Sequence, residues 1–163
     1  MKKQHLNTLL ISILLFLSLT NFSSTAQTGK TGENNLIIEQ KSKYPFTETV
    51  ERLTTEAKER SWNIPVIHDL QKSLLKVGKE IKPVTVIEIC KPDYSGKLLE
   101  LNYERIISVF MPCRISVYEK NDGKTYIALL NGEALAGNQP QIIAEVMKAA
   151  SDEIFEIVGI VTE

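Results

Sequence analysis

Apolar residues fall into three patterns along this chain, and each predicts a different kind of structure. The first is a predominantly apolar run from Leu6 to Leu19, preceded by Lys2 and Lys3 and followed by Ser24-Thr25-Ala26. A basic head, an apolar stretch and a small-residue end form the pattern of a secretory signal, here with cleavage expected after Ala26. The run is short of the roughly 20 apolar residues that a membrane span needs, and no cysteine follows it to carry a lipid. Residues 27–35 are polar and contain two glycines, which predicts a flexible tether between residues 1–26 and a single domain over 36–163. The working protein is thus expected in the periplasm or outside the cell.

Beyond the tether, alternating and helical periodicities take turns. Leu36–Ser42 alternates imperfectly as a strand, and Pro45 closes it. Val50, Leu53, Thr54 and Ala57 then recur at helical spacing through Arg60, with Thr47 as the expected N-cap. Trp62–His68 predicts a short strand at a sheet edge, because Pro65 has no N–H to give to a ladder. Asp69 is placed to cap a short helix running to Val77, with Leu70, Leu74 and Val77 expected to face inward and Gly78 ending it. Val84–Cys90 is the strongest strand, a candidate for the sheet centre, stopped by Pro92. Asp93 is the expected cap of a helix carrying Tyr94, Leu98, Leu99 and Leu101, while Tyr103–Met111 fits neither period. Arg114–Lys120 and Lys124–Leu130 flank Asn121-Asp122-Gly123, a turn signal for a tight hairpin. Asn131–Asn138 reads as a loop, and Pro140 introduces a last helix whose apolar stripe runs from Ile142 through Ile143, Val146, Met147, Ile154 and Ile157 to Val158.

The resulting order, β-α-β-(α)-β-α-β-β-α with a tight hairpin, predicts an α+β fold: a two-layer sandwich of a mostly antiparallel sheet against helices. No glycine-rich turn follows the first strand, which removes the dinucleotide-binding reading. Composition narrows the function further. Removing Lys2 and Lys3 from the 19 basic residues leaves 17 against 20 acidic, a net charge of -3 after cleavage. That balance gives nucleic acid nothing to bind, and with no dense run of lysines and arginines expected after the signal it removes the electrostatic argument for an anionic membrane. No stable membrane span is expected after cleavage.

Candidate chemistry centres on Cys90 and Cys113, which stand at strand borders in an exported setting. If the two strands are neighbours, the expected outcome is a structural disulfide, with isolated core thiols as the alternative. A second reading makes the pair a soft metal site for copper or zinc together with His68 and Met111. A third makes Cys113 a nucleophile, with Cys90 beside it and His68 or Glu88 as base. Arg114, next to Cys113, is a candidate for anion binding or for thiol activation, which places Cys90, Cys113 and Arg114 in the expected ligand-binding set. No sequence motif assembles a catalytic site, and the leading expectation is a non-enzymatic domain that binds a small molecule or a protein in a groove between the sheet and the Gly132–Gly137 connection.

The segments Trp62-Asn63-Ile64-Pro65-Val66, His68-Asp69-Leu70, Val86-Ile87-Glu88-Ile89-Cys90-Lys91-Pro92, Met111-Pro112-Cys113-Arg114-Ile115-Ser116-Val117-Tyr118-Glu119 and Asp122-Gly123-Lys124, in this order, resemble the DUF302 family over residues 36–160. The resemblance places the family's characteristic positions on Asp69, Cys90, Pro92, Pro112, Cys113, Tyr118 and Glu119. It implies a small α+β domain that forms homodimers, with Cys90 and Cys113 adjacent across the sheet, and it implies no reaction. The broad apolar stripe of the last helix and an uncovered edge strand point to the same twofold dimer.

Overall fold

The computed structural model describes residues 36–163, so the expected signal segment and tether lie outside the described residues. Five strands, β1 (Ile37–Lys41), β2 (Ile67–Asp69), β3 (Val84–Ile89), β4 (Cys113–Glu119) and β5 (Thr125–Leu130), form one sheet in the order β1-β5-β4-β3-β2. Every neighbouring pair is antiparallel. The helices are α1 (Phe46–Glu59), α2 (Leu70–Leu75), α3 (Pro92–Leu99), a 3-10 helix (Glu104–Phe110), α4 (Gly132–Ala136) and α5 (Gln141–Gly159). This is the α+β two-layer arrangement that the sequence pattern predicts.

One face of the sheet is buried, and strand alternation decides which residues lie there. Ile87 and Ile89 of β3, Ile115 and Val117 of β4, and Ile127 and Leu129 of β5 pack with Leu53 and Ala57 of α1 and with Ile154, Ile157 and Val158 of α5. The intervening positions, among them Val86, Glu88, Arg114, Ser116, Tyr118 and Tyr126, belong to the opposite face, which no helix among the described residues covers. A smaller cluster of Leu98, Ile107, Ile143 and Val146 joins α3, the 3-10 helix and the first half of α5. Among the described residues no helix is long and apolar enough to cross a membrane.

Local chemistry sets most of the boundaries. Gly123, at φ +73°, supplies the left-handed residue of the β4–β5 turn, and the Lys120 N–H donates to the Lys124 carbonyl at 3.1 Å across it. The Asp69 side chain accepts from the Lys72 N–H at 2.8 Å and caps α2 as expected. Elsewhere Pro45, rather than Thr47, is the residue before α1, and Lys91 precedes α3 with Pro92 at its first turn.

Several expectations change. The strand expected over Trp62–His68 shrinks to β2, because Pro65 interrupts the ladder, although Asn63 still bridges Cys90. The strand β3 lies one place from the centre, which β4 occupies. The helix α2 buries no residue at all, and Val77, expected to face inward, is 69% exposed. The expected loop after β5 contains α4, capped by the Asn131 side chain, which accepts from the Ala134 N–H at 3.2 Å. On α5, Ile143, Val146, Ile154, Ile157 and Val158 are buried within the chain, so the stripe that suggested self-association is used internally.

Two close junctions lock this arrangement. The Ser42 and Thr49 hydroxyls share a buried hydrogen bond of 2.7 Å, and the Ser42 hydroxyl also donates to the Val161 carbonyl at 3.2 Å. The chain end is thereby held against β1, with a bridge between Ser42 and Thr162 and an ion pair between Lys41 and Glu163. At the other junction α4 lies so near α5 that a Cβ on Gly132 would stand 2.8 Å from the Ser151 Cβ and 3.2 Å from the Met147 carbonyl oxygen. Gly132→Ala is therefore expected to lower stability by ~1–3 kcal/mol through overpacking. Gly159→Ala, where an added Cβ meets nothing within 4 Å, should leave stability unchanged or raise it. Urea denaturation midpoints of the two variants check the contrast, and equal midpoints would contradict it.

Candidate functional site

The ends of β3, β4 and β5 diverge from the helices at one edge of the core and leave a cavity of about 170 Å³. Ile89, Cys113 and Leu129 form its sheet side. Tyr94 and Leu98 of α3, Ile107 and Phe110 of the 3-10 helix, Leu135 of α4, and Val146, Met147 and Ile154 of α5 form the rest. The lining is mostly apolar, and Phe110 and Val109 border it where the 3-10 helix is exposed. Gly132 lines it too, so the close approach of α4 to α5 shapes one wall.

The two cysteines both line this cavity, and both are half-buried free thiols. The expected disulfide is absent, and the strand register explains why. Cys113 stands opposite Ile89, one residue away from Cys90. Cys90 lies just past the end of β3, and this one-residue offset does not aim the two Cβ atoms at one another as a disulfide requires. The Cys90 Sγ instead lies 3.8 Å from the Ser95 Oγ of α3. Burial, with a smaller contribution from the nearby Cys90 thiol, pushes the Cys113 pKa up to about 11. It is a protonated thiol at neutral pH.

Structure and sequence part company over the other candidates. His68 and Arg114 lie on the uncovered face of the sheet with Glu88 between them: His68 Nε2 is 3.1 Å and Arg114 Nε 3.4 Å from Glu88 Oε1. The His68 hydrogen bond foremost, and then Arg114, hold the Glu88 carboxyl below the usual range against its desolvation. Strand alternation thus separates His68 and Glu88 from the Cys113 thiol by the thickness of the sheet, whereas Arg114, paired with Glu88 there, also borders the cavity where β4 begins. The set Cys90, Cys113, His68 and Met111 is not assembled at one place, since His68 is missing from the cavity that the other three line. Among the described residues no group of three or more His, Cys, Asp or Glu side chains could hold a metal ion. Cys113 likewise has neither His68 nor Glu88 as a base, and Arg114 does not activate its thiol.

What the sequence did not single out is a carboxylate that gathers three of the cavity-lining residues. Glu153 of α5 accepts hydrogen bonds from Trp62 Nε1 at 2.9 Å, Lys91 Nζ at 2.7 Å and the Tyr94 hydroxyl at 2.6 Å. Burial pushes its pKa up, but the bonds from Lys91, Tyr94 and Trp62 outweigh this and hold it below the ordinary value. The same carboxylate, aided by burial, raises the Tyr94 hydroxyl to about 12. Trp62 and Tyr94 pack with ring centroids 5.9 Å apart, so this network ties the α1–β2 connection, α3 and α5 together beside the cavity. Trp62 is the only tryptophan in the chain. Its position between an amphipathic helix and a strand was the available sequence signal.

Comparison with known proteins adds a family and a fold. The model of a family described as "Domain of unknown function DUF302" matches residues 38–159. No curated protein matches the chain. Among solved structures, the crystal structure of an uncharacterized conserved DUF302 protein from Bacillus stearothermophilus superposes with a TM-score of 0.68 at 21% identity, covering 76% of this chain and 96% of that one. The likeness extends to the fold.

The titrations give two tests. Because the Cys113 pKa lies near 11 against 9.0 for an ordinary thiol, iodoacetamide should modify Cys113 slowly between neutral pH and pH 9, with the rate climbing only in more alkaline solution. Peptide-resolved alkylation rates check this, and a rate matching a free thiol at neutral pH would refute it. Glu153 has a folded pKa below the 4.5 of an ordinary glutamate. Its contribution to stability is therefore present above pH 4.5 and is lost as pH falls through the folded value. Glu153→Gln should flatten that part of the stability profile, measured as the urea midpoint against pH, and an unchanged acid slope would exclude the carboxylate as its source.

Proposed function

This chain belongs to the DUF302 family, a domain family of unknown function, and we propose that it is an exported binding domain that holds one small, mainly apolar ligand in the cavity beside Cys90 and Cys113. Export rests on the N-terminal pattern of Lys2, Lys3, the apolar run and Ser24-Thr25-Ala26. The observation that carries the binding reading is the cavity itself, about 170 Å³ with a mostly apolar lining. An apolar void of ~150 Å³ stays dry and takes up a benzene-sized guest, so a short alkyl chain or a single ring matches the space. Its polar lining residues are Cys90, Cys113, Ser95, Ser151, Arg114, Trp62, Lys91 and Tyr94, the last three already bonded to Glu153. Such a lining takes an apolar body and orients one hydroxyl or carbonyl group on it.

Catalysis by a thiol has no comparable support. Cys113 is held protonated by burial, and the groups able to take its proton are on the other face of the sheet. The cavity fits a pocket that binds and releases its guest unchanged, with Val109 and Phe110 at its mouth.

Trp62 lines the cavity and reports on it. Titration of the full chain with normal alkanols of increasing length should shift Trp62 emission saturably, with affinity rising along the series until the chain outgrows the cavity and then falling. Met147→Phe, which fills the space with a rigid ring, should abolish the saturable phase while leaving the far-ultraviolet circular dichroism unchanged. A linear, unsaturable response in the unmodified protein, or saturation untouched by Met147→Phe, would sink this reading.

A further inference from the structure

The segment that caps the β2 edge departs most from the economy of the rest of the fold. Leu70, Leu75, Val77 and Ile81 of α2 and the turn after it are exposed, as are Val66 and Ile67 on the approach, and α2 has no buried residue. Leu74 alone among the three leucines of α2 is half-buried, so the exposed Leu70, Leu75, Val77 and Ile81 are not explained by the core.

Its charge is equally uneven. Residues 70–82 contain Lys72, Lys76, Lys79 and Lys82 against Glu80 alone, four minus one, or +3. With 17 basic and 20 acidic residues after expected signal cleavage, a net of -3, the remainder of that chain carries -6. The even balance read from composition conceals a basic, apolar edge on an acidic body. None of these lysines takes part in an ion pair among the described residues. Acidic groups on the same edge are Asp69, engaged in capping α2, Glu80 itself, and Glu119, which shares a shallow hollow with Glu80 and Lys82.

We propose that the α2 edge, residues 66–82, is a peripheral docking surface for an anionic lipid bilayer. Leu70, Leu75, Val77 and Ile81 enter the boundary between headgroups and acyl chains, and the lysines meet lipid phosphates. Charge complementarity selects this occupant. In a second copy docked about a twofold axis, the same lysines would face one another with no acidic partner in excess, an unfavourable juxtaposition. The surface is a short projecting helix and turn, which suits a fluid interface. Docking of this kind needs no membrane-spanning helix, and it stands apart from the ligand cavity.

Amide hydrogen exchange of the full chain tests the proposal locally, so that any lipid affinity of the N-terminal segment is read separately. Vesicles of phosphatidylcholine containing phosphatidylglycerol should slow exchange across residues 70–82. Pure phosphatidylcholine should not, and high salt should reverse the effect. Two variants at exposed positions, Leu75→Ser/Val77→Ser and Lys76→Glu/Lys79→Glu, should each lose the slowing while keeping the thermal midpoint of the parent. Unchanged exchange at 70–82 with phosphatidylglycerol vesicles would overturn the proposal. So would equal slowing by pure phosphatidylcholine, by a rise in protein concentration without lipid, or by an acidic protein in place of the vesicles with no lipid effect.

Discussion

The register between β3 and β4 is the constraint on which the rest of this molecule depends. Pairing Ile87 with Ile115 puts both on the helix-covered face, and the same step assigns Glu88 and Arg114 to the uncovered one. A slip of one residue would exchange the two sets, exposing isoleucines and burying an ion pair, and both changes are costly. The register therefore holds itself in place through burial. It also settles the chemistry at the strand ends, because Cys113 must fall opposite Ile89 and the two thiols cannot meet as a cross-strand pair. The separation of His68 and Glu88 from the cavity follows from the same alternation.

Much of this was legible in the sequence because the signals were short-range. Asn121-Asp122-Gly123 needs only its own backbone preference to make a hairpin, and Asp69 needs only the next turn to act as a cap. Alternation in Val84–Ile89 announces a strand with one covered face. Long-range geometry was a different matter. Cys90 and Cys113 stand at the borders of adjacent strands, as expected, yet whether their side chains converge depends on register, which the spacing of two cysteines does not encode. The inward assignment failed for Leu70 and Val77, while Leu74 is half-buried, because periodicity identifies an apolar stripe without identifying what covers it. The α4 turn was hidden by its small residues, Gly132, Ala134 and Ala136, which read as loop until the packing against Ser151 shows why small residues stand there.

The candidate site was only half visible for the same reason. The cysteines and the Gly132–Gly137 connection do flank one cavity, but its other walls come from α3, the 3-10 helix and α5. No local pattern brings those elements together. The carboxylate of Glu153 looked like one more polar residue on the last helix, although in space it gathers Trp62, Lys91 and Tyr94. Three donors around one acceptor fix the wall beside the cavity without leaving a buried polar atom unpaired, consistent with the absence of such atoms among the described residues.

The clasp among Ser42, Thr49, Val161 and Thr162 has a consequence for connectivity. Leu36 enters at one end of β1, its carbonyl bonded to the Asn131 N–H, while Glu163 is fastened at the other end beside Lys41. The strand itself therefore separates the first and last described residues, a gap of roughly 15–20 Å for five residues of strand. A linker of about six extended residues would bridge it, closing the body into a ring that can be reopened at an exposed turn. Viewed this way, β1 is an interchangeable edge: the same strand could be supplied from either end of the polypeptide without altering the order of the sheet.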